Sequence, residues 1–126
     1  MADSYIGVSP PPTTAWESVL LSSGLCNVPA SAFLRPYAPD RKRLEPLRLA
    51  RLRSGLRSAA RHGRIFHLWW HPHNFSQHGT ENFAVLEQVL DEFDHLAAAD
   101  GMESLTMADV AARVTSSAAG PTRDSR

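Results

Sequence analysis

Ten of the chain's thirteen lysines and arginines fall within residues 35–64, where only Asp40 and Glu45 oppose them; residues 81–109 carry eight acids and no Lys or Arg. Both blocks space their apolar residues periodically. Between them stands a short aromatic run, Arg64-Ile65-Phe66-His67-Leu68-Trp69-Trp70-His71, closed by Pro72. Such a chain has to arrange two oppositely charged amphipathic elements around one apolar, aromatic element. Because thirteen basic residues balance thirteen acidic ones, no net field steers the whole molecule toward nucleic acid or an anionic membrane.

In residues 40–62, Leu44, Leu47, Leu52, Leu56 and Ala59 or Ala60 recur at steps of three to five with arginines between them, which predicts a helix. Asp40 is its expected N-cap, Pro46 sits in the first turns where proline is tolerated, and Gly63 stops it. The aromatic run predicts a strand with His67, Trp69 and His71 on one face and Phe66, Leu68 and Trp70 on the other. After a loop at 73–79, Thr80 is expected to cap a second helix to Ala99, with Phe83, Leu86, Val89, Leu90, Phe93 and Leu96 as its apolar stripe. Residues 102–105 read as one more short strand. Thr106-Met107-Ala108-Asp109 resembles a capping box opening a last helix to Val114. Helix, strand, helix, strand, helix is the order of an α/β unit with a parallel sheet.

Residues 1–23, with Pro10-Pro11-Pro12, read as a flexible lead-in, 24–114 as the folded unit, and 115–126 as a disordered tail. With 126 residues, 43% of them apolar, the chain has the composition of one globular unit. The single cysteine, Cys26, leaves no intramolecular disulfide or cysteine zinc site to build, and reads as a small buried hydrophobe. The start lacks a basic and an apolar leader region, and no apolar stretch approaches the length of a membrane span, so the expectation is a soluble cytoplasmic chain without a membrane partner.

Four of the six histidines, His67, His71, His73 and His78, fall within twelve residues. Three readings stay open for them. They are strand-end and loop residues satisfied by backbone or water; or His71, His73 and His78 hold a metal; or one of them is a general acid or base in a pocket walled by Trp69. The basic helix invites a nucleic-acid reading, but its arginines are spread around the circumference and no aromatic residue interleaves them for base stacking. The economical alternative is that this helix faces the acidic one, or an acidic partner or polyanion, as in a small non-catalytic α/β protein.

The run Phe66-His67-Leu68-Trp69-Trp70-His71-Pro72-His73-Asn74-Phe75, followed by a capped helix and Gly101-Met102-Glu103-Ser104-Leu105-Thr106-Met107-Ala108-Asp109, resembles the C-terminal end of the polysaccharide deacetylase family, also called NodB-homology or carbohydrate esterase 4. Val28-Pro29-Ala30-Ser31 and Phe33-Leu34-Arg35-Pro36-Tyr37 are similar to a segment leading into the last barrel strand of some bacterial members. The resemblance runs from about Gly24 to Val114. It implies a partial (β/α) barrel of NodB-homology type, C-terminal strands and helices only. His71 then corresponds to the general acid that protonates the departing amine. Trp69, which takes the place of the usual leucine, lines the acetyl pocket. The implied substrate is an N-acetylated sugar polymer or glycan, and the implied cofactor of a complete member is a divalent metal such as zinc.

The family's metal-binding motifs, an Asp-Asp pair and a His-x-x-x-His pair on earlier elements, have no counterpart here; His67 and His71 share only the spacing. The resemblance therefore implies no metal ligands and no resident cofactor in this chain, and an isolated polypeptide without deacetylase activity. It further implies the C-terminal part of a barrel produced by truncation, a displaced start or gene decay, with room for a complementing chain over its strand edges.

Overall fold

A computed structural model describes residues 9–120. Strand β1, Ala32–Phe33, leads through a 3-10 turn at Pro39–Leu44 into helix α1, Glu45–His62. Strand β2, Leu68–Trp69, a 3-10 turn at Pro72–Phe75, helix α2, Gly79–Asp100, and helix α3, Met107–Ala118, follow, and one more 3-10 turn, Trp16–Ser18, precedes β1. β1 and β2 pair in parallel, Ala32 opposite Leu68 and Phe33 opposite Trp69. The parallel pair encloses α1; the β–α–β unit that the element order predicts, residues 64–71 and 102–105 around the acidic helix, does not form.

The expected partial (β/α) barrel is not. Among the described residues the molecule is mostly helical, and its sheet has two strands of two residues each. Closing a barrel takes many tilted strands in a continuous ladder. Here each strand is cut short by proline: Pro36 follows β1 and Pro72 follows β2, removing an N–H and fixing φ where pairing would continue. Residues 102–105, expected as a strand, join no ladder.

The helices lie close to their expected bounds, with different ends. Asp40 falls inside the 3-10 turn and Leu44 is the N-cap of α1, while Gly63 ends it in the left-handed conformation at φ +60°. α2 begins at Gly79, after His78 with its positive φ of 51°, so Thr80 is inside the helix rather than capping it. α3 carries the expected capping box: the Asp109 N–H donates to Thr106 Oγ1 at 3.2 Å and the Thr106 N–H to Asp109 Oδ2 at 2.8 Å. It continues past Val114 to Ala118, into the stretch read as tail.

Two packed clusters hold these elements. Leu52 and Leu56 of α1 and Val89 and Leu96 of α2 enclose Leu34, with Phe66 and Leu68 packed against them. Each such side chain contributes about 1.5–3 kcal/mol by leaving water. The second cluster joins Val110 and Val114 of α3 to Val19, which is fully buried, with Ile65 and Leu105 beside it. The described part of the lead-in is therefore structural. Thr14 and Ile65 exchange backbone hydrogen bonds of 2.9 and 2.8 Å, and Pro11 lies against α1 at Gly55. Residues 1–8 lie outside the described part. Cys26, expected inside, is exposed on a small hairpin turn through Gly24. No helix of the described residues is long and apolar enough to cross a membrane.

Candidate functional site

The parallel register puts Phe33 beside Trp69, and both project from the same face of the pair. Two residues along, where β2 ends, the His71 ring follows on that face, as the alternation predicts. The Phe33 and Trp69 ring centroids lie 4.5 Å apart; His71 meets Trp69 edge-on at 5.1 Å and Phe33 at 5.9 Å. His73 then stacks on His71, 5.1 Å between centroids and 13° between planes. Trp69 is 38% exposed and both histidines are exposed, so the cluster is open to solvent.

The turn presenting these imidazoles is fixed from behind. The His71 N–H donates to Asn74 Oδ1 at 3.0 Å, and the Asn74 N–H returns to the His71 carbonyl at 2.9 Å. Asn82, on α2 and only 5% exposed, then ties three segments together. Its Oδ1 accepts the Tyr37 N–H at 2.6 Å, and its Nδ2 donates to the carbonyls of Asn74 at 3.1 Å and Gln77 at 2.8 Å. A buried amide with all these partners is stable only in one placement, because moving it would strand polar groups away from water. Asn82 thus links the exit of β1 to the His71 turn.

The histidines divide by role. His67 Nδ1 contacts the Val28 carbonyl at 3.0 Å and its backbone N–H donates to Ser31 Oγ, so His67 fastens the chain where it enters β2. His78 packs edge-on against Tyr37 at 5.4 Å. Among the described residues no group of three or more His, Cys, Asp or Glu is arranged to hold an ion. The stacking of His71 on His73 turns ring faces, not nitrogen lone pairs, toward each other.

The basic helix faces the acidic one. Arg57 grips Glu92 through two hydrogen bonds, 2.6 and 2.9 Å, and Arg53 adds a contact at 3.7 Å. The Arg57 hydrogen bond holds the Glu92 carboxyl below the usual carboxylate range, against the opposing effect of burial, with the charges of Arg57, Arg53 and His95 adding to it. An apolar groove of about 610 Å³ runs between α1, α2 and α3, past Leu68, Trp70, Leu90 and Met102. Neither Trp69 nor His71 lines it, so this groove and the imidazole cluster are separate features.

Phe33 and Asn82 are members of the site that the sequence reading did not single out. Asn82 and Glu92 do carry a signal: both are polar residues at core-facing positions of α2, in register with buried Val89 and Leu96. Phe83 and Leu90, expected on that stripe, are 54% and 50% exposed. Comparison with protein-family models, with curated proteins and with solved structures finds no match.

Proposed function

We propose that this chain supplies the proton-donating and aromatic side of a carbohydrate N-deacetylase site, a site that hydrolyses the amide bond of N-acetylated sugars. One observation carries the reading in addition to the resemblance of residues 66–75 and 101–109: Trp69, Phe33 and His71 form one exposed cluster on a turn anchored by Asn74 and Asn82. The indole and phenyl rings offer an apolar wall to a sugar ring or acetyl methyl. Imidazole is the side chain able to hold and release a proton near neutral pH. As water adds to the amide carbon and the C–N bond breaks, the His71 imidazolium gives its proton to the departing nitrogen, leaving acetate and a free amine. The reading needs no barrel, only this cluster.

The groups that activate the water are not among the described residues. The purified chain is therefore expected to bind a chitin tetramer through Trp69 without releasing acetate from it, whether zinc or cobalt is added or not. Tryptophan fluorescence titrated with the tetramer should saturate, W69A should weaken binding about tenfold, the loss of about one aromatic contact, and H71Q should leave binding intact. A response that never saturates, or equal affinity in W69A, overturns the reading. Acetate release by the chain alone overturns the division of labour it assumes.

A further inference from the structure

Helix α2 carries apolar residues on two sides. Asn82, Val89, Glu92 and Leu96 are buried on the side that meets α1. A second set, Phe83, Leu86, Leu90, Phe93 and Ala97, recurs at alternating steps of three and four residues, the spacing that keeps a seam in line for another helix to pack on. Phe83 and Leu90 are half-exposed, and Leu86, Phe93 and Ala97 are only partly buried. Leu90 and Phe93 also line the apolar groove, which Trp70 and Met107, both exposed, border as well. We propose that this seam and groove dock an amphipathic helix of a partner protein, one with leucine-like residues on one face and lysines or arginines along its edge.

The apolar side of the argument is one of concentration and interval. Of the eight large apolar side chains exposed among the described residues, four, Trp70, Phe83, Leu90 and Met107, belong to this seam and groove. Apolar surface gathered in one place marks an interaction site, whereas single exposed leucines do not. Phe83 and Leu90 lie seven residues apart, about 10 Å along the helix axis. That is the interval between the first and last anchors of a helix that lays its apolar face in a groove. Met102 and Met107 line the same groove, and their unbranched thioether chains repack around a ligand at little cost.

Charge decides which helix. At the lining of the groove Arg64 and Arg113 balance Asp100 and Glu103, with Arg113 gripping Glu103 directly. Along the solvent side of the seam stand Glu87, Asp91 and Asp94, all exposed and without a salt bridge or side-chain hydrogen bond among the described residues. Glu87 and Asp94 directly follow Leu86 and Phe93 and so hold the flanking position that selects a coiled-coil partner by charge. Three carboxylates beside an apolar seam favour a partner whose own flanks are basic. A second copy of this chain fits less well. A twofold pair through the seam brings one acidic edge against the other. The chain's basic helix, α1, exposes one large apolar side chain, Leu47, and so has no stripe to lay into the groove.

Neither His71 nor Trp69 lines the groove, so this surface and the deacetylase reading stand or fall separately. The probe is a synthetic peptide of three heptads with leucine at the seam positions, lysine on the flanks and alanine elsewhere; its twin has glutamate in place of each lysine. Fluorescence anisotropy of the labelled lysine peptide should saturate as the full chain is added. Nitrogen-15 NMR should place the shifted amides at Leu90, Asp94 and Met107, with that of Ala50 on the outer face of α1 unmoved. Leu90→Ala should weaken binding about tenfold, the share of one buried anchor, while Leu47→Ala, an exposed leucine away from the groove, binds as the parent chain does. Glu87→Lys combined with Asp94→Lys should weaken the lysine peptide about tenfold and turn the preference to its glutamate twin. Both side chains are exposed and unpaired, so circular dichroism of that variant should match the parent. Sedimentation of the chain alone tests the other occupant: self-association abolished by Leu90→Ala assigns the seam to a second copy and overturns the proposal. A signal that never saturates, equal affinity for the two peptides, or binding that survives Leu90→Ala unchanged also overturns it.

Discussion

Gly55 sits in the middle of α1, where a glycine ordinarily costs about 1 kcal/mol relative to alanine. The structure shows why it is there. A Cβ at this position would come to 2.5 Å from Phe66 Cε2 and 3.1 Å from Pro11 Cδ, so the helix, the lead-in and the segment entering β2 meet only because a side chain is missing. Two effects compete in Gly55→Ala: the helix gains about 1 kcal/mol in propensity, and forcing the Phe66 ring aside costs about 1–3 kcal/mol. The crowding wins, for a net loss of about 1 kcal/mol in urea unfolding, and combining it with Phe66→Leu should cost less than the two single losses added. A stability gain in Gly55→Ala would show that the ring moves freely. The arginine pattern around Gly55 reads as a helix from sequence, but a close approach between residues far apart in the chain leaves no periodic trace. The same holds for Asn82, whose polar identity on a core-facing position was visible while its three partners, on Tyr37, Asn74 and Gln77, were not.

At the scale of elements, what was legible followed from local chemistry. α3 opens where Thr106 and Asp109 satisfy each other's backbone donors, a signal contained in four consecutive residues. The hydrogen bond from the Thr106 hydroxyl, followed by that from its backbone N–H, holds the Asp109 carboxyl below its usual range. A carboxyl depressed in the folded state contributes stability that is present above its ordinary value and lost as pH falls through the folded one. The helicity of α3 should therefore decline on acidification below about pH 4, near the ordinary carboxylate value, and Asp109→Asn should flatten that decline. Thr106→Ala removes the cap at any pH and should cost about 1 kcal/mol; circular dichroism across pH on the three chains checks both. The strands were less legible because their length depends on partners. An aromatic run of eight residues has β propensity throughout, yet only Leu68 and Trp69 find a ladder, since β1 offers two residues before Pro36. The extension of that run into a barrel was an inference about strands that this chain's prolines and pairing do not supply.

For the molecule as a whole, the two apolar clusters matter more than the element count. Leu34, Leu52, Leu56, Val89 and Leu96 lock α1, α2 and the strand pair into one body, reinforced by the Arg57–Glu92 ion pair across the helices. α3 is docked elsewhere, through Val110 and Val114 onto Val19, with the 610 Å³ apolar groove separating much of it from α1 and α2. Regions with fewer buried apolar contacts open at lower free energy than the rest. Native-state hydrogen exchange should therefore resolve two levels of protection, the amides of α1 and α2 exchanging only through global unfolding and those of α3 through an earlier, local opening. Val114→Ala, which deletes two methyl groups from the smaller cluster at a cost of about 2 kcal/mol, should speed exchange in α3 while leaving the exchange of α1 and α2 nearly unchanged. Because Ile65 and Thr14 sit beside that cluster and close onto each other, the backbone of Thr14 should lose protection together with α3. Uniform acceleration across all three helices would instead mean that the two clusters unfold as one unit, with the groove no barrier to cooperativity.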